Sequence, residues 1–330
     1  MSITVLKPGL LSSFQDLGRK GYQHLGVPVG GAMDSRAHRL ANLLAGNPQD
    51  EATLEITLSG PTLRFDSPAC IAIAGAALSP TVNGKPVPNN RPLVIRQGDV
   101  LAFGARTAGL RAYVAWHGGI DLPVLLSSRS TYLRGGFGGY KGRALRANDV
   151  LRLRSPLDGP DLDALARELW NIKIYLPAPL GLAPRSAVRA MPGAHTSLFK
   201  DKSVDDFFSS EYRISPQSER MGYRLEGNTL ELKSNAQLLS EATSFGSVQV
   251  PPDGKPIVLM ADRQTTGGYA KIAHIASVDL PAIAQCMPGD ALGFMPVELQ
   301  EAQALDMQRE EAFEQLCQAL APVRRLLQGD

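Results

Sequence analysis

Short apolar stretches alternate with turn residues along most of the chain. Residues 71–74 read Ile-Ala-Ile-Ala before a glycine, and residues 100–103 and 111–116 form similar apolar runs close to glycines. Asn83 and Gly84 stand where a two-residue turn would join two short strands into a hairpin. Many short strands separated by such turns are typical of barrels and sandwiches. The pattern therefore predicts a mainly β protein with few helices.

Three segments have helical spacing instead. Asp34 precedes a segment with one apolar face, and Gly46 follows it, which predicts a helix capped at both ends. A second helix is predicted over residues 161–170. A third is predicted over residues 299–327 with a break near Pro322, because proline cannot continue a helix. We expect this last helix to pack across the β body rather than to bind a partner.

A weak internal repeat suggests two related β domains. Residues 60–65 resemble residues 227–232, and residues 98–103 resemble residues 289–294, in the same order. The length of 330 residues also favours two domains. We predict a first β-barrel domain over 1–170 and a second over 185–330, the latter carrying the C-terminal helix. The polar, proline-containing stretch 155–184 would hold the junction.

Composition argues against several classes of function. The net charge is only +2 and the basic residues are scattered, so nucleic acid is not an expected partner. No apolar run approaches membrane-spanning length, and no signal peptide is evident. Three widely spaced cysteines favour a reducing cytoplasm over a disulfide framework. Five scattered histidines predict no metal site, and His195, on an expected loop, is the histidine of most interest.

The strongest chemical signal follows a predicted buried strand at residues 257–261. A carboxylate, a guanidinium, an amide and two hydroxyls lie beside paired glycines, which permit positive φ and close backbone approach to a ligand. Such a segment can bind an amide and stabilise an oxyanion. The alternative is a tight turn whose polar groups satisfy its own backbone. The residues concerned are Asp262, Gln264, Thr265, Thr266, Gly267 and Gly268.

A second polar segment covers residues 215–224. Two arginines four residues apart could clamp a carboxylate or a phosphate. The alternative is that these charges are solvated at the start of a strand. The binding residues predicted here are Gln217, Ser218, Arg220, Tyr223 and Arg224.

Two glycine-rich loops are weaker candidates for anion binding. Residues 26–34 lead into the predicted first helix, but Asp34 would itself occupy the anion position at the helix start. Residues 135–143 combine glycines with Lys141 and Arg143, yet lack the ending of a P-loop and the surroundings of a dinucleotide fingerprint. A structural loop is the alternative at both places.

Six segments of the chain match one known family pattern in order: residues 15–19, 30–34, 54–57, 118–121, 215–224 and 264–269. Together they resemble the KipA family, also called allophanate hydrolase subunit 2 or the biotin-dependent carboxyltransferase family. The resemblance runs from about residue 3 to residue 296 and adds Glu55 to the expected binding residues.

The resemblance implies two cyclophilin-like β-barrel domains in tandem and a heteromeric enzyme. The implied partners are a KipI-type subunit and a LamB/YcsF-type third subunit. The implied activity is that of the C subunit of ATP-dependent 5-oxoprolinase, an enzyme that opens 5-oxo-L-proline to L-glutamate. We expect ATP to be used, either on this chain or with the partner, and the chain to be inactive alone.

Two other functions stay open. The first is a biotin-dependent carboxyltransferase subunit acting on urea or a related small amide. This chain has no biotin-attachment pattern, so biotin would have to arrive on a partner. The second is a non-enzymatic antagonist of a KipI-type kinase inhibitor.

For the lactam reaction we predict three sets of contacts. Asp262 and Gln264 would contact the lactam N–H and C=O, and Arg220 or Arg224 would hold a carboxylate or phosphate. Developing oxyanion charge would be stabilised by Thr265, Thr266, Gly267 and Gly268.

Overall fold

The chain forms two compact units. The computed structural model describes residues 1–155, 157, 161–181, 187–234 and 238–329. Unit 1 comprises Met1–Gly18, Asp34–Leu182 and Glu311–Asp330, and unit 2 comprises Arg19–Met33 and Ala183–Glu310.

The two units differ from the predicted domains, 1–170 and 185–330, in the placement of two segments. Residues 19–33 belong to unit 2, where Met33 is part of the hydrophobic core. Residues 311–330 belong to unit 1, where the guanidinium carbon of Arg39 lies 3.7 Å from the centre of the Phe313 ring. Local sequence patterns do not encode such long-range contacts. The predicted junction lies partly outside the described residues.

Unit 1 contains two antiparallel sheets around one core. The first has the strand order β11-β1-β4-β9-β6-β7 and the second the order β2-β3-β10-β5-β8, and both contribute apolar residues to the same hydrophobic cluster. The strands are β1 (Ser2–Lys7), β2 (Leu11–Gln15), β3 (Thr53–Thr57), β4 (Thr62–Phe65), β5 (Ala69–Ala77), β6 (Pro80–Val82), β7 (Lys85–Pro86), β8 (Pro92–Ile95), β9 (Val100–Phe103), β10 (Ala108–Trp116) and β11 (Val150–Arg152).

Side chains alternate across the second sheet of unit 1. In β3, Leu54 and Ile56 belong to the core between the sheets. Thr53 and Glu55 point to the opposite face, which helix α1 (Ser35–Leu44) covers, and Thr53 is hydrogen-bonded to His38 of that helix. The covered face therefore carries buried polar groups.

Unit 2 is built on a closed barrel. The strands follow the order β12-β19-β16-β17-β14-β13-β20, and β12 closes the ring by pairing in parallel with β20. A two-stranded ribbon, β15 with β18, lies apart from this ring of hydrogen bonds. The strands are β12 (Ala187–Pro192), β13 (Glu211–Ile214), β14 (Gly222–Glu226), β15 (Glu241–Ala242), β16 (Ser247–Val250), β17 (Ile257–Leu259), β18 (Thr266–Gly267), β19 (Ala270–Ile275) and β20 (Ala291–Pro296).

The predicted helices are confirmed. Asp34 accepts a hydrogen bond from Ala37 N at 2.9 Å at the start of α1, and Gly46 has φ +73° just beyond its end. The long C-terminal helix breaks at Leu320, because Pro322 lies in the first turn of the next helix, where proline is tolerated. The remaining helices are α2 (Leu162–Asn171), α3 (Asp201–Ser209), α4 (Leu280–Ala284), α5 (Leu299–Ala319) and α6 (Ala321–Gln328).

Half of the predicted internal repeat corresponds to structure. Gly98 and Gly289 both have positive φ, and each is followed by an aspartate and then by a strand, β9 or β20. Each aspartate side chain accepts a hydrogen bond from the backbone N–H three residues before it. The predicted match of residues 60–65 to residues 227–232 has no counterpart in the strands, because residues 62–65 form β4 whereas residues 227–232 lie outside the strands.

The mainly β fold is confirmed. Within the described ranges, no helix is both long enough and apolar enough to cross a membrane.

Candidate functional site

The strand predicted over residues 257–261 forms β17, and Asp262 follows it in a buried ion pair. The Arg220 guanidinium donates from Nε to Asp262 Oδ2 at 2.8 Å and from Nη2 to Oδ1 at 3.0 Å. Asp262 N also donates to the Arg220 carbonyl at 2.9 Å. Both side chains are almost fully buried. The two charges predicted to bind substrate therefore face each other.

Arg220 joins three of the predicted segments. Its Nη2 atom also donates to the Gly31 carbonyl at 2.7 Å. Gly30, at φ +65°, packs so closely that a Cβ atom there would lie 3.3 Å from Arg19 Nη1 and 3.5 Å from Asp262 Oδ1. The residues around Gly30, Arg220 and Asp262 thus form one assembly in unit 2, which explains why this loop needs glycine.

The structure does not place the other residues of the 215–224 hairpin beside Asp262. Arg224 is exposed on β14, so the predicted clamp with the buried Arg220 is not formed. Ser218 Oγ accepts a hydrogen bond from Arg224 N at 3.1 Å, and Gln217 is exposed. Tyr223 is 2% exposed in the barrel core, and its hydroxyl donates to the Cys286 carbonyl. These side chains stabilise the hairpin or face solvent.

The glycine-containing segment forms one strand of the ribbon. Thr266 and Gly267 are β18, which pairs with β15, and Thr243 N donates to the Thr265 carbonyl at 3.0 Å. Neither Gly267 nor Gly268 has positive φ, contrary to the expectation from sequence. Gly267 packs against Gln249, because a Cβ atom there would lie 2.7 Å from Gln249 Nε2 and would displace that amide. Thr266 is exposed, and Gln264, Thr265 and both glycines are partly exposed.

Polar residues on the outer face of the barrel hold this ribbon. Gln249 of β16 and Lys271 of β19 are opposite each other and buried. Gln264 Nε2 donates to Gln249 Oε1 at 3.3 Å. Lys271 Nζ donates at 2.7 Å to both Glu241 Oε1 and the Ala242 carbonyl. The predicted residue Gln264 is thereby positioned by Gln249, whose own Nε2 atom has no hydrogen-bond partner among the described residues.

His195 lies next to this ribbon. Its Nδ1 atom accepts a hydrogen bond from Lys271 N at 3.2 Å, and its Nε2 atom lies 3.6 Å from Glu241 Oε1. The loop histidine singled out from the sequence thus has a place beside the candidate site, as a support for Lys271 and Glu241.

Ser244, Ser247 and His274 form a second polar group, and the charge of Arg263 acts on His274. We call these four residues the open cluster. Ser244 Oγ and Ser247 Oγ are 2.8 Å apart, and each lies 3.5 Å from His274 Nδ1. Arg263 donates from Nη1 to the Met260 carbonyl at 3.4 Å, and its Nε atom has no hydrogen-bond partner in the described ranges.

The open cluster is electrostatically positive. Burial lowers the pKa of the Arg263 guanidinium to about 10, and nearby Asp262 opposes this shift. Burial also lowers the pKa of His274, and the positive charges of Arg263 and Lys271 lower it further. His274 is therefore neutral near pH 7. An anion bound here would be attracted by the Arg263 charge and would favour protonation of His274.

The sequence contained a weak signal for Gln249 and Lys271, which hold the ribbon. Val248 of β16 and Ile272 of β19 belong to the barrel core, so the polar residues next to them must face outward. What the sequence could not show is that the ribbon covers this outer face.

Glu55 lies in unit 1, in the polar face covered by α1. It is 2% exposed and accepts a hydrogen bond from the Tyr113 hydroxyl at 2.7 Å. Arg111 Nε lies 3.9 Å from its other oxygen atom. Burial, followed by the charge of Glu55, raises the pKa of Tyr113 well above 10.0. The binding role expected for Glu55 stays a prediction, and these contacts give it a structural role.

The glycine-rich loop of unit 1 does not fit a phosphate cradle. Arg143 pairs with Asp149 through two hydrogen bonds of 2.7 Å. Gly142 packs tightly, since a Cβ atom there would lie 2.1 Å from the Gly136 carbonyl oxygen. In the earlier loop, Asp34 caps α1. Both loops therefore match the structural alternative. No cluster of three or more His, Cys, Asp or Glu suited to a metal ion occurs in the part of the chain that the structure describes.

A cavity of about 750 Å³ borders the ribbon in unit 2. Gly268, Tyr269 and Ala270 form one side of it. The other described lining residues are mostly apolar and come from residues 229–232, Leu238, residues 250–252 and Gly254. None of the described lining residues belongs to the open cluster.

Comparison with known proteins identifies the family. The family described as "Carboxyltransferase domain, subdomain A and B" matches residues 25–296. The chain belongs to this carboxyltransferase family. It is 39% identical to the 5-oxoprolinase C subunit of Haemophilus influenzae and 36% identical to that of Escherichia coli, over 95% of this chain and 97% of each relative. The family resemblance predicted from the motifs is confirmed.

The carboxyltransferase fold is shared with a solved structure. The crystal structure of Kluyveromyces lactis urea carboxylase superposes with a TM-score of 0.86 at 33% identity, covering 96% of this chain and 29% of that chain. This chain thus matches less than a third of the K. lactis urea carboxylase chain. By contrast, it matches nearly the full length of the two 5-oxoprolinase C subunits.

Proposed function

We propose that this chain is the C subunit of an ATP-dependent 5-oxoprolinase, acting in the cytoplasm with a KipI-type and a LamB/YcsF-type subunit. The observation that carries the proposal is the 39% identity to a protein named as a 5-oxoprolinase C subunit, over 97% of that protein's length. The polar ribbon of unit 2, with partly exposed amide, hydroxyl and glycine backbone groups, supports a small amide as the substrate.

The chemistry requires activation of a stable lactam. A lactam carbonyl is a poor electrophile, and transfer of a phosphoryl group from ATP to its oxygen makes the carbon susceptible to water. One water adds at that carbon and the ring C–N bond breaks, so that the nitrogen leaves as the amine of glutamate and an acyl phosphate remains. A second water hydrolyses this acyl phosphate to the side-chain carboxylate of glutamate and free phosphate. The protein must bind the lactam and stabilise negative charge on oxygen as it develops.

The residues of the ribbon are assigned to that task. In the proposal, Gln264 contacts the lactam amide, while Thr265, Thr266 and the backbone of Gly267 and Gly268 face the developing oxyanion. Asp262 and Arg220 act as positioning residues, because their side chains form an ion pair with each other. This assignment moves Asp262 and Arg220 away from the substrate contacts expected from sequence. We assign ATP to the surface completed by the partner subunits, since the glycine-rich loop of unit 1 does not fit phosphate.

Reconstitution tests the proposal directly. The chain is co-purified with its KipI-type partner, the LamB/YcsF-type subunit is added, and ADP and L-glutamate are measured with 5-oxo-L-proline and ATP. We expect glutamate only when all three chains are present, with one ADP formed per glutamate. A stable, folded complex that forms no glutamate would contradict the proposal.

A second function has one specific observation in its favour. The likeness to urea carboxylase, at a TM-score of 0.86, supports carboxyl transfer to urea or a related amide. In that case biotin would be carried by a partner. Carboxylation of urea by the complex in the presence of a carboxylated biotin carrier, with no glutamate formed from 5-oxo-L-proline, would favour this function over the first.

A further inference from the structure

The open cluster of unit 2 has the composition of an anion site. It combines a guanidinium, an imidazole and two hydroxyls, all of which can donate hydrogen bonds. In the described part of the chain no carboxylate is hydrogen-bonded to Arg263. The neighbouring carboxylate, Asp262, uses both of its oxygen atoms to bind Arg220. A desolvated cation beside donors, with no hydrogen-bonded counter-charge, is an arrangement that an incoming anion stabilises.

The geometry is fixed by secondary structure. Ser247 and His274 lie opposite each other on β16 and β19. Ser244 lies in the turn that leads into β16, and Arg263 in the turn that follows β17. The Arg263 guanidinium lies 5.8 Å from the centre of the ring of Phe245, the residue next to Ser244. Ser244 is exposed and Arg263 and His274 are half-buried, so a ligand can reach the cluster from solvent.

We propose that Ser244, Ser247, Arg263 and His274 form an oxyanion subsite that binds a carboxylate or phosphoryl group. This inference rests on the proposed function, because 5-oxo-L-proline carries a carboxylate next to its lactam whereas urea carries none. The subsite would make the enzyme specific for an amide that bears a carboxylate. Gln264 follows Arg263 by one residue, which places an amide-binding and an anion-binding group on the same turn.

The titration of His274 reports on anion binding without requiring turnover. The full chain is labelled at its histidines, and the NMR signal of His274 is assigned by its loss in His274→Gln. We expect 5-oxo-L-proline to raise the pKa of His274 in a saturable way at constant ionic strength. The neutral lactam 2-pyrrolidone should leave the pKa unchanged, and inorganic phosphate serves as the phosphoryl probe.

Variants separate this subsite from a general charge effect. Arg263→Met should itself raise the pKa of His274 and should weaken anion binding by about 10- to 100-fold. Ser244→Ala, at an exposed position, should weaken binding less and keeps the test valid if Arg263→Met does not fold. Arg213→Ala is the matched control, because Arg213 is exposed on β13 and likewise donates to one backbone carbonyl, that of Gly289. It should bind like the native chain.

Each outcome decides the proposal. A response to 5-oxo-L-proline but not to phosphate assigns the subsite to a carboxylate, and the reverse assigns it to a phosphoryl group. No response to either anion, an equal response to 2-pyrrolidone, or full binding by folded Arg263→Met would overturn it. A response to an anion in a chain whose assembled complex makes no glutamate would contradict the proposed function and leave the subsite standing.

Discussion

Two buried polar regions of this protein differ in how completely their groups are satisfied. In unit 1, the buried side chains of His38, Glu55 and Tyr113 on the face under α1 each have a hydrogen-bond partner. Beyond the end of β2, Asp16 accepts hydrogen bonds from Gly18 N, Arg129 N and the hydroxyls of Ser128 and Ser130. In unit 2, the open cluster has a desolvated guanidinium with no hydrogen-bonded carboxylate in the described ranges.

The difference separates stability from binding. A buried polar group with its partners in place stabilises the fold, and removing one partner leaves the other uncompensated. A group kept without a partner contributes little to the fold and is available to a ligand. Asp262 and Arg263 show both situations at adjacent positions, since the first is paired with Arg220 and the second is not paired with a carboxylate in the described part of the chain.

The largest effect on stability is expected from Asp262→Ala. The substitution leaves the buried Arg220 guanidinium without its carboxylate, which should lower the free energy of unfolding by about 3–5 kcal/mol. Urea unfolding measures this loss. Adding Arg220→Met to the same chain should recover much of it, and Asp201→Ala, in an exposed ion pair with Lys233, should cost at most about 1 kcal/mol. Equal stability of the Asp262 and Asp201 variants would contradict the claim that the buried pair of Arg220 and Asp262 stabilises the fold.

A smaller effect is expected from acidification, through His38. Burial lowers its pKa from 6.5 to about 4, so the folded state keeps His38 neutral while the unfolded state binds a proton below pH 6.5. This contribution to stability is present above pH 6.5 and is lost as the pH falls towards 4. We expect about 2 kcal/mol of loss between pH 7 and pH 5 from this residue. The control is His38→Gln, whose stability should depend less on pH over that interval; an identical dependence would contradict the account.

Tyr113→Phe should have the smallest of these effects. The hydroxyl accepts from Asp34 N at 2.8 Å and donates to Glu55 at 2.7 Å, so its removal takes one partner from each. We expect a loss of about 1 kcal/mol in the free energy of unfolding, with turnover of the assembled complex unchanged. A variant that keeps its stability but loses turnover would instead support the binding role predicted for Glu55.

The sequence predicted elements whose causes are local. The hairpin at Asn83-Gly84, the cap at Asp34 and the break near Pro322 depend on neighbouring residues, and the structure has all three. The polar segment after β17 was also visible. Its pairing with Arg220, 42 residues earlier, was not, because an ion pair across strands leaves no periodic signal.

The same limit explains the misjudged arginines. Arg220 and Arg224 looked equivalent in sequence, but Arg220 lies in the turn that leads into β14 and is buried, whereas Arg224 lies on β14 and is exposed. Conversely, Arg263 was visible in the sequence only as one member of the polar segment after β17, because its neighbours Ser244, Ser247 and His274 come from distant parts of the chain. Local sequence can locate a polar strand end, but the fold determines which of its charged side chains form ion pairs.

The most direct test of the central claim compares stability and turnover in Arg263→Met. The account predicts that the urea midpoint of the chain stays close to that of the native protein. In the assembled complex, the KM for 5-oxo-L-proline should rise by about 10- to 100-fold, with a smaller change in kcat. A variant that unfolds as readily as Asp262→Ala, or one that keeps the native KM, would contradict the claim that the open cluster serves substrate rather than the fold.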